Sequence, residues 1–163
     1  MRTILNTLCL VVVASLIMLA THSTIRAQNA PPSRQFGVGV FSGNTGGGLT
    51  GTYAIDRQLQ VGTYFALGVT SGGGASSTTF DLSPFVRYQF QAAVSPYIQG
   101  GFSIISGGGQ TNFGLVFGGG LAYYFARTFG IHADVDILSI LFTNPSLIGF
   151  GWNSTRIGAM WFF

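Results

Sequence analysis

The chain has very little charge. Only 7% of its 163 residues are charged, and neither lysine nor glutamate occurs, so every charge is an arginine or an aspartate. Soluble domains carry roughly 25% charged residues. A water-facing surface this poor in charge would be prone to association. The composition therefore argues against an ordinary soluble protein.

Long apolar segments are also scarce. The one long apolar run extends from Leu8 to Ala20, with Arg2 upstream. A membrane-spanning helix needs about 20 apolar residues, so this run better fits a secretory signal peptide. We expect cleavage after Ala27, with Ala20 as the second choice. Because lipid admits only helices or closed barrels, the remaining chain predicts a barrel. The predicted division is a signal peptide over 1–27, a short leader over 28–34 and a barrel over 35–163.

Cysteine and histidine are nearly absent. The single cysteine, Cys9, lies in the predicted signal peptide, so the mature chain has no disulfide framework. His22 would also be removed, which leaves His132 as the only mature histidine. Five arginines and four aspartates would remain after Ala27, without a basic cluster. We therefore expect no nucleic-acid partner. We expect no cofactor either.

What the chain does have is period-2 patterning over most of its mature length. Four regions rich in Gly, Ser and Asn interrupt it, and we expect them to be long loops: Ser42 to Gly48, Thr70 to Thr78, Ser106 to Asn112, and Thr143 to Gly149. Three tighter connections lie between them, at Asp56-Arg57, Gln91 to Val94, and Ala126 to Thr128. Seven connections predict eight strands, and alternating long and short connections are typical of transmembrane barrels. The alternative is a soluble β-sandwich with its apolar face inward.

The alternation also predicts which residues face lipid. In the fourth strand one face is apolar and includes Val86 and Tyr88, whereas the other includes Phe85, Arg87 and Gln89. Outward aromatic residues gather near the strand ends, as in the girdles of membrane barrels. The pattern fails in the last two strands, where apolar residues from Leu138 to Trp152 fall in the inward phase. A β-bulge would exchange the faces, but its position cannot be derived from the pattern.

Glycines within the strands predict space inside the barrel. Gly62 is expected to leave room for Arg87, and Gly118 to Gly120 to allow bending or to make room for an inward Arg or Tyr.

The inward charges predict an ion-pair network in the lumen, made of Asp81, Arg87, His132, Asp134, Asp136 and Arg156. Hairpin arithmetic puts Arg156 opposite roughly Asp136 and near Asp134. Buried charges must be paired, and an eight-stranded barrel is just wide enough for its own side chains. A catalytic, ion-conducting or metal site is the alternative interpretation of this cluster. Ion pairs that fill the lumen are the simpler one.

The last residues form an amphipathic strand with Ile157, Ala159, Trp161 and Phe163 on one face. This pattern resembles the terminal assembly signal of bacterial outer-membrane barrels. The segment from Leu121 to Asp134, an aromatic strand followed by a short turn and an alternating strand, resembles the sixth and seventh strands of small barrels of the OmpA/OmpX type.

The resemblance to that family covers roughly residues 35 to 163. It implies an eight-stranded antiparallel up-and-down transmembrane β-barrel in the bacterial outer membrane, in contact with outer-membrane lipid and with the barrel-assembly and periplasmic chaperone machinery. We expect a monomer with a structural or envelope-integrity role. The alternatives are a narrow pore for small solutes and a surface adhesion or recognition protein. Small outer-membrane enzymes resemble this architecture but use His and acidic residues near the outer rim. Because His132 lies at the opposite end and Glu is absent, we expect no enzyme. His132, Asp134 and Asp136 point the same way, but with arginines nearby they fit an ion-pair network better than a metal site, so we expect no metal.

Overall fold

The chain folds into a closed antiparallel β-barrel, seen in a computed structural model that describes residues 32–44, 46–72, 75–142 and 147–163. The predicted signal peptide, its cleavage site and the first residues of the leader lie outside the described residues. Within the described residues, no helix is long and apolar enough to span a membrane. The fold class predicted from the sequence is confirmed, and the β-sandwich alternative is wrong.

Eight strands form the barrel, as predicted, and each pairs with the next one along the chain. They are β1 (Gln35–Gly43), β2 (Gly46–Ala54), β3 (Leu59–Gly72), β4 (Ala75–Gln89), β5 (Ser95–Gly107), β6 (Gln110–Ala126), β7 (Phe129–Phe142) and β8 (Leu147–Phe162). We call the end that holds Arg34, Phe163 and the β2–β3, β4–β5 and β6–β7 connections the terminal end. The opposite end is the glycine-rich end.

Pairing between β1 and β8 closes the barrel. It runs from Gly37 opposite Phe162 to Gly43 opposite Arg156. Asn44 extends the seam by one residue, because its backbone N–H donates to the Thr155 carbonyl at 3.2 Å and its side-chain oxygen accepts from the Thr155 N–H at 2.8 Å. Since closure leaves no free strand edge, the backbone groups of the wall can all pair within the sheet.

Side chains alternate between the lumen and the outer wall, as the sequence pattern predicts. In β4, Phe85 and Arg87 are buried at 6% and 1% exposure, whereas Val86 and Tyr88 are exposed at 52% and 39%. The outer wall is therefore apolar and the lumen is mixed. This arrangement is the inverse of a soluble barrel, and it suits an apolar surrounding.

The predicted alternation of long and short connections is wrong. β1 ends at Gly43 and β2 begins at Gly46, and only Gly108 and Gly109 separate β5 from β6. The glycine-rich segments mostly continue the strands, because glycine backbone pairs as any other residue does. Gly108 and Gly109 have φ of 59° and 81°, and positive φ at both central residues is the requirement of a type I′ hairpin turn.

The irregularity expected in the last two strands is a bulge at Ile137. Asp136 pairs with Ser154, but Leu138 pairs with Phe150, so the ladder skips one residue on β7 and three on β8, residues 151–153. The ladder between β6 and β7 skips residue 137 as well, because Phe117 pairs with Leu138 and Gly118 pairs with Asp136. After the bulge the apolar residues face outward, and Phe150 is 84% exposed. The irregularities in both strands thus keep the outer wall apolar up to the glycine-rich end.

Two glycines show how the lumen accommodates large side chains. A Cβ at Gly120 would lie 2.6 Å from the Tyr97 hydroxyl oxygen, so this glycine makes room for an inward tyrosine, as predicted. The expectation that Gly62 makes room for Arg87 is wrong. The register places Gly62 opposite Phe85, and a Cβ there would lie 2.7 Å from the Phe85 ring.

Candidate functional site

The lumen contains a cluster of charged side chains from the adjacent strands β7 and β8. Asp134 pairs with Arg156 in the β7–β8 ladder, and Asp136 lies two residues further along β7 on the same inward face. Residues two apart on a strand point the same way, so both carboxylates face the lumen. Local hairpin geometry therefore brings these three charges together.

Arg156 bridges the two aspartates. Its Nε donates to Asp134 Oδ1 at 2.7 Å and its Nη2 donates to Asp136 Oδ1 at 2.6 Å. The guanidinium carbon lies 4.6 Å from the centre of the Tyr64 ring. Charge-assisted hydrogen bonds of this length are among the strongest in proteins, and the side chains of both aspartates are at most 5% exposed.

Arg87 enters the same cluster from β4, on another side of the barrel. Its Nη2 donates to the Tyr64 hydroxyl at 2.7 Å and to Gln99 Oε1 at 3.1 Å. Its guanidinium carbon lies 4.0 Å from the Tyr97 ring centre and 4.9 Å from that of Phe85. Arg87 is 1% exposed, and aromatic faces take the place of some of the hydrogen bonds that its other nitrogens lack.

Asp134 is the centre of the network. Its Oδ2 accepts hydrogen bonds from Tyr64 and Tyr97, each at 3.0 Å, and lies 3.8 Å from Arg87 Nη2. Its other oxygen is bound to Arg156. Two arginines and two aspartates therefore meet in one buried, neutral group held by tyrosine hydroxyls. Tyr97 and Gln99 were not in the set predicted from the sequence. Their inward phase on β5 is the signal that identifies them.

The two remaining predicted residues differ in position. His132 is buried beside the network, with Nε2 3.8 Å from Asp134 Oδ2, but neither ring nitrogen has a hydrogen-bond partner. Gly158 leaves room for this ring, since a Cβ there would lie 2.5 Å from His132 Cε1. Asp81 faces the lumen nearer the glycine-rich end. Its Oδ1 accepts a hydrogen bond from Ser83 at 2.7 Å, and it is not joined to the arginines.

A second polar group lies between the charged network and the terminal end. The Tyr124 hydroxyl accepts from Gln60 Nε2 at 3.3 Å and bonds the Gln89 side-chain amide at 2.7 and 3.0 Å. Phe162 packs against the Tyr124 ring at 6.0 Å between centroids. These residues are 2% exposed or less and close the lumen beneath the charges. Gln60 and Gln89 were not in the set predicted from the sequence.

The space left around these groups is small. A cavity bounded by Tyr64, Ser83 and Arg156 has a volume of about 10 Å³. A water molecule needs at least about 10–15 Å³, so this cavity is at the lower limit of hydration. Among the described residues, no group of three His, Cys, Asp or Glu is arranged to hold a metal ion. Chemically, the cluster can fill and neutralise the lumen.

Aromatic rings form a belt on the outer wall at the terminal end. Phe129 lies between Phe125 and Trp161, at 5.7 and 4.5 Å between centroids, and Phe36 packs against Tyr53 at 4.7 Å. Of the residues predicted as an assembly signal, Ile157, Trp161 and Phe163 are exposed on this wall, and Ala159 is half-buried between them. Their role in assembly stays a prediction.

Solved structures are similar to this chain at low sequence identity. The N-terminal β-barrel domain of Pseudomonas aeruginosa OprF is 16% identical, with a TM-score of 0.55 over 80% of this chain and 98% of that one. Neisserial surface protein A is also 16% identical, with a TM-score of 0.49 over 78% and 93%. The outer membrane enzyme PagL is 17% identical, with a TM-score of 0.37 over 79% and 98%. No family model and no curated protein matches the sequence.

Proposed function

We propose that this protein is an integral barrel of the bacterial outer membrane with a structural, envelope-integrity role. The observation that carries the proposal is the buried network of Arg87, Arg156, Asp134 and Asp136, which fills the centre of the lumen. A barrel whose core is occupied by paired charges holds its wall rigid and does not leave a solute path. The role rests on this closure.

The outer wall supports the membrane location. Each of the eight strands has exposed apolar side chains among its described residues. Examples are Val40, Leu67, Val86 and Ile98. Monomeric soluble proteins rarely expose a continuous apolar surface of this extent. The aromatic belt at the terminal end matches the place where amphipathic rings meet a membrane interface. We place the terminal end at the periplasm, because the resemblance to small barrels of the OmpA/OmpX type implies that the turn between β6 and β7 lies there.

The lumen chemistry supports a non-enzymatic role. The carboxylates of Asp134 and Asp136 are both held by Arg156, and a substrate would have to displace that arginine to reach them. His132 is enclosed, with no exposure of its side chain. General acid or base groups must lie within hydrogen-bond reach of a substrate proton. A lumen filled by paired side chains therefore argues against both catalysis and steady ion conduction.

Bilayer recordings on the refolded barrel test this proposal. The protein would be inserted into lipid vesicles, its folded state checked by heat-modifiable migration on a gel, and its conductance measured in planar bilayers. We expect a folded barrel without steady channels. Steady conductance by the wild-type barrel would instead support the narrow pore. A conductance that also appears with empty vesicles would be discarded as a leak.

A cell-based measurement tests the role itself. In a host whose own copy is deleted, we expect the envelope to become more sensitive to detergent, and the wild-type gene to restore resistance. Unchanged detergent sensitivity together with a loss of surface binding would favour the adhesion alternative. The short glycine-rich connections, such as Gly108-Gly109, offer little surface for that role.

A further inference from the structure

An apolar groove crosses the outer wall of β1 to β5. It has a volume of about 850 Å³ and runs from Phe36 and Tyr53 at the terminal end to Pro84 and Phe102 near mid-height. The groove is open along its outer side and lies on the face that we assign to the membrane.

The floor of the groove consists of small residues, and none of the polar groups discussed there is left without a hydrogen-bond partner. A Cβ added at Gly51 would meet no atom within 4 Å, so space is open above it. The Thr63 hydroxyl, which lies on the same floor, already donates to the Tyr64 carbonyl at 3.3 Å. An occupant of this part must therefore be apolar, because a buried polar group would find no partner there.

Positive charge lies at the foot of the groove. Arg34 is exposed, precedes Phe36 by two residues and is fixed beside β2 by its backbone N–H, which donates to the Ala54 carbonyl at 2.6 Å. Its φ of 56° is in the left-handed region, which is uncommon for a residue other than glycine. Arg57 is exposed in the β2–β3 connection at the same end. Its neighbour Asp56 is bound to the backbone of that connection.

The geometry points to a phospholipid of the periplasmic leaflet as the occupant, and we propose that the groove holds one of its acyl chains while Arg34 holds its phosphate. This inference rests on the membrane location proposed above. An apolar channel that ends at a cationic residue matches the order of groups in such a lipid. A second copy of the chain fits less well, because a two-fold interface would set one concave surface against another.

The test compares groove and control variants after refolding into vesicles of equal parts phosphatidylglycerol and phosphatidylcholine. Mild detergent extraction and native mass spectrometry would then count the retained phospholipid. We expect Gly51→Leu, which fills the groove, to lower retention about tenfold. Ala133→Leu, on the exposed outer face of β7, is the matched control and should retain phospholipid as the wild type does. If Gly51→Leu does not fold, Thr63→Leu tests the same floor.

A charge pair of variants tests the foot. Arg34→Gln should lower the retention of both phosphatidylglycerol and phosphatidylcholine, because both carry the phosphate, whereas Arg127→Gln, at the same end in the β6–β7 connection, should leave it unchanged. Equal retention by Gly51→Leu and the wild type would overturn the proposal, as would equal loss in Ala133→Leu. Displacement of the phospholipid by lipopolysaccharide, measured in a parallel experiment, would also overturn it. A wild type that is a dimer and a Gly51→Leu variant that is a monomer would show that a second copy of the chain occupies the groove instead. Failure of the wild type to insert would overturn the proposed function as well, whereas insertion without retained phospholipid would overturn only the groove.

Discussion

The two faces of the same strands differ in almost every chemical respect. All charged residues within the described strands face the lumen: Asp81, Arg87, Asp134, Asp136 and Arg156. The outward positions of those strands carry none, and include Val38, Phe117 and Trp161. In a soluble barrel the order is reversed. The same strand geometry allows either face to be apolar. The difference therefore teaches that the medium around the wall, and not the backbone, determines which face carries the apolar residues.

The largest expected effect comes from the hub of the inner face. Replacing Asp134 with Ala leaves two buried arginines with one aspartate, so we expect a loss of about 3–5 kcal/mol in the free energy of unfolding. Urea unfolding in vesicles, followed by tryptophan fluorescence, measures it. Asp81→Ala is the matched control, because this aspartate lies outside the network, and it should cost much less. Equal losses for the two variants would remove the distinction between network and non-network charges.

A charge should destabilise the outer face, whereas paired charges stabilise the lumen. Phe117 is exposed near the middle of β6, and Phe117→Arg places a charge where we expect hydrocarbon. The cost expected near the bilayer midplane is about 2–4 kcal/mol, measured by the same unfolding assay. Phe117→Leu keeps the position apolar and serves as the control. An arginine that is tolerated as well as the leucine would mean that this face meets water.

The uncharged part of the lumen should respond more weakly. Tyr124→Phe removes the hydroxyl that bonds Gln60 and Gln89 but keeps the ring against Phe162. Leaving buried amides without a partner costs about 1–3 kcal/mol. Tyr123→Phe, on the outward side of the same strand, is the control and should be nearly neutral. If both variants behave alike, the hydrogen bonds of Tyr124 contribute nothing measurable.

The smallest effect is expected in a connection that belongs to neither face. The backbone N–H groups of Gln58 and Leu59 donate to Asp56 and hold the pKa of its carboxyl below the ordinary value. A lowered folded-state pKa gives stability that is present above the unfolded pKa and is lost as the pH falls through the folded one. Asp56→Asn should therefore destabilise slightly at about pH 7, and the difference should shrink as the pH falls below the ordinary aspartate pKa of about 4. A difference that is constant with pH would contradict a charge effect.

Local regularity explains what could be predicted from the sequence. Period-2 alternation depends on neighbouring residues only, so the strand count and the faces of β4 were correct. Arg156 and Asp134 belong to one hairpin, so counting back from the turn brought them together to within one pair. Glycine does not distinguish a strand end from a loop, because it is compatible with both, and this is why Gly46 and Gly107 were assigned to loops.

Contacts across the lumen could not be predicted in the same way. Arg87 on β4 reaches Tyr64 on β3, Gln99 on β5 and Asp134 on β7, which are brought near only by the register of several ladders. An error of one residue in any ladder inverts the face of the partner. The bulge at Ile137 is such a shift, and periodicity indicates that a shift exists without placing it.

The measurement that most directly tests a lumen closed by paired charges is a mutant cycle on Arg156, read by both unfolding free energy and conductance. Arg156→Ala should cost about 3–5 kcal/mol, because Asp136 loses its arginine. Adding Asp134→Asn and Asp136→Asn should recover part of that loss, without steady channels in any variant. A triple variant no more stable than Arg156→Ala would contradict the ion pairing. Full stability of Arg156→Ala together with steady conductance would show that Arg156 gates a pore.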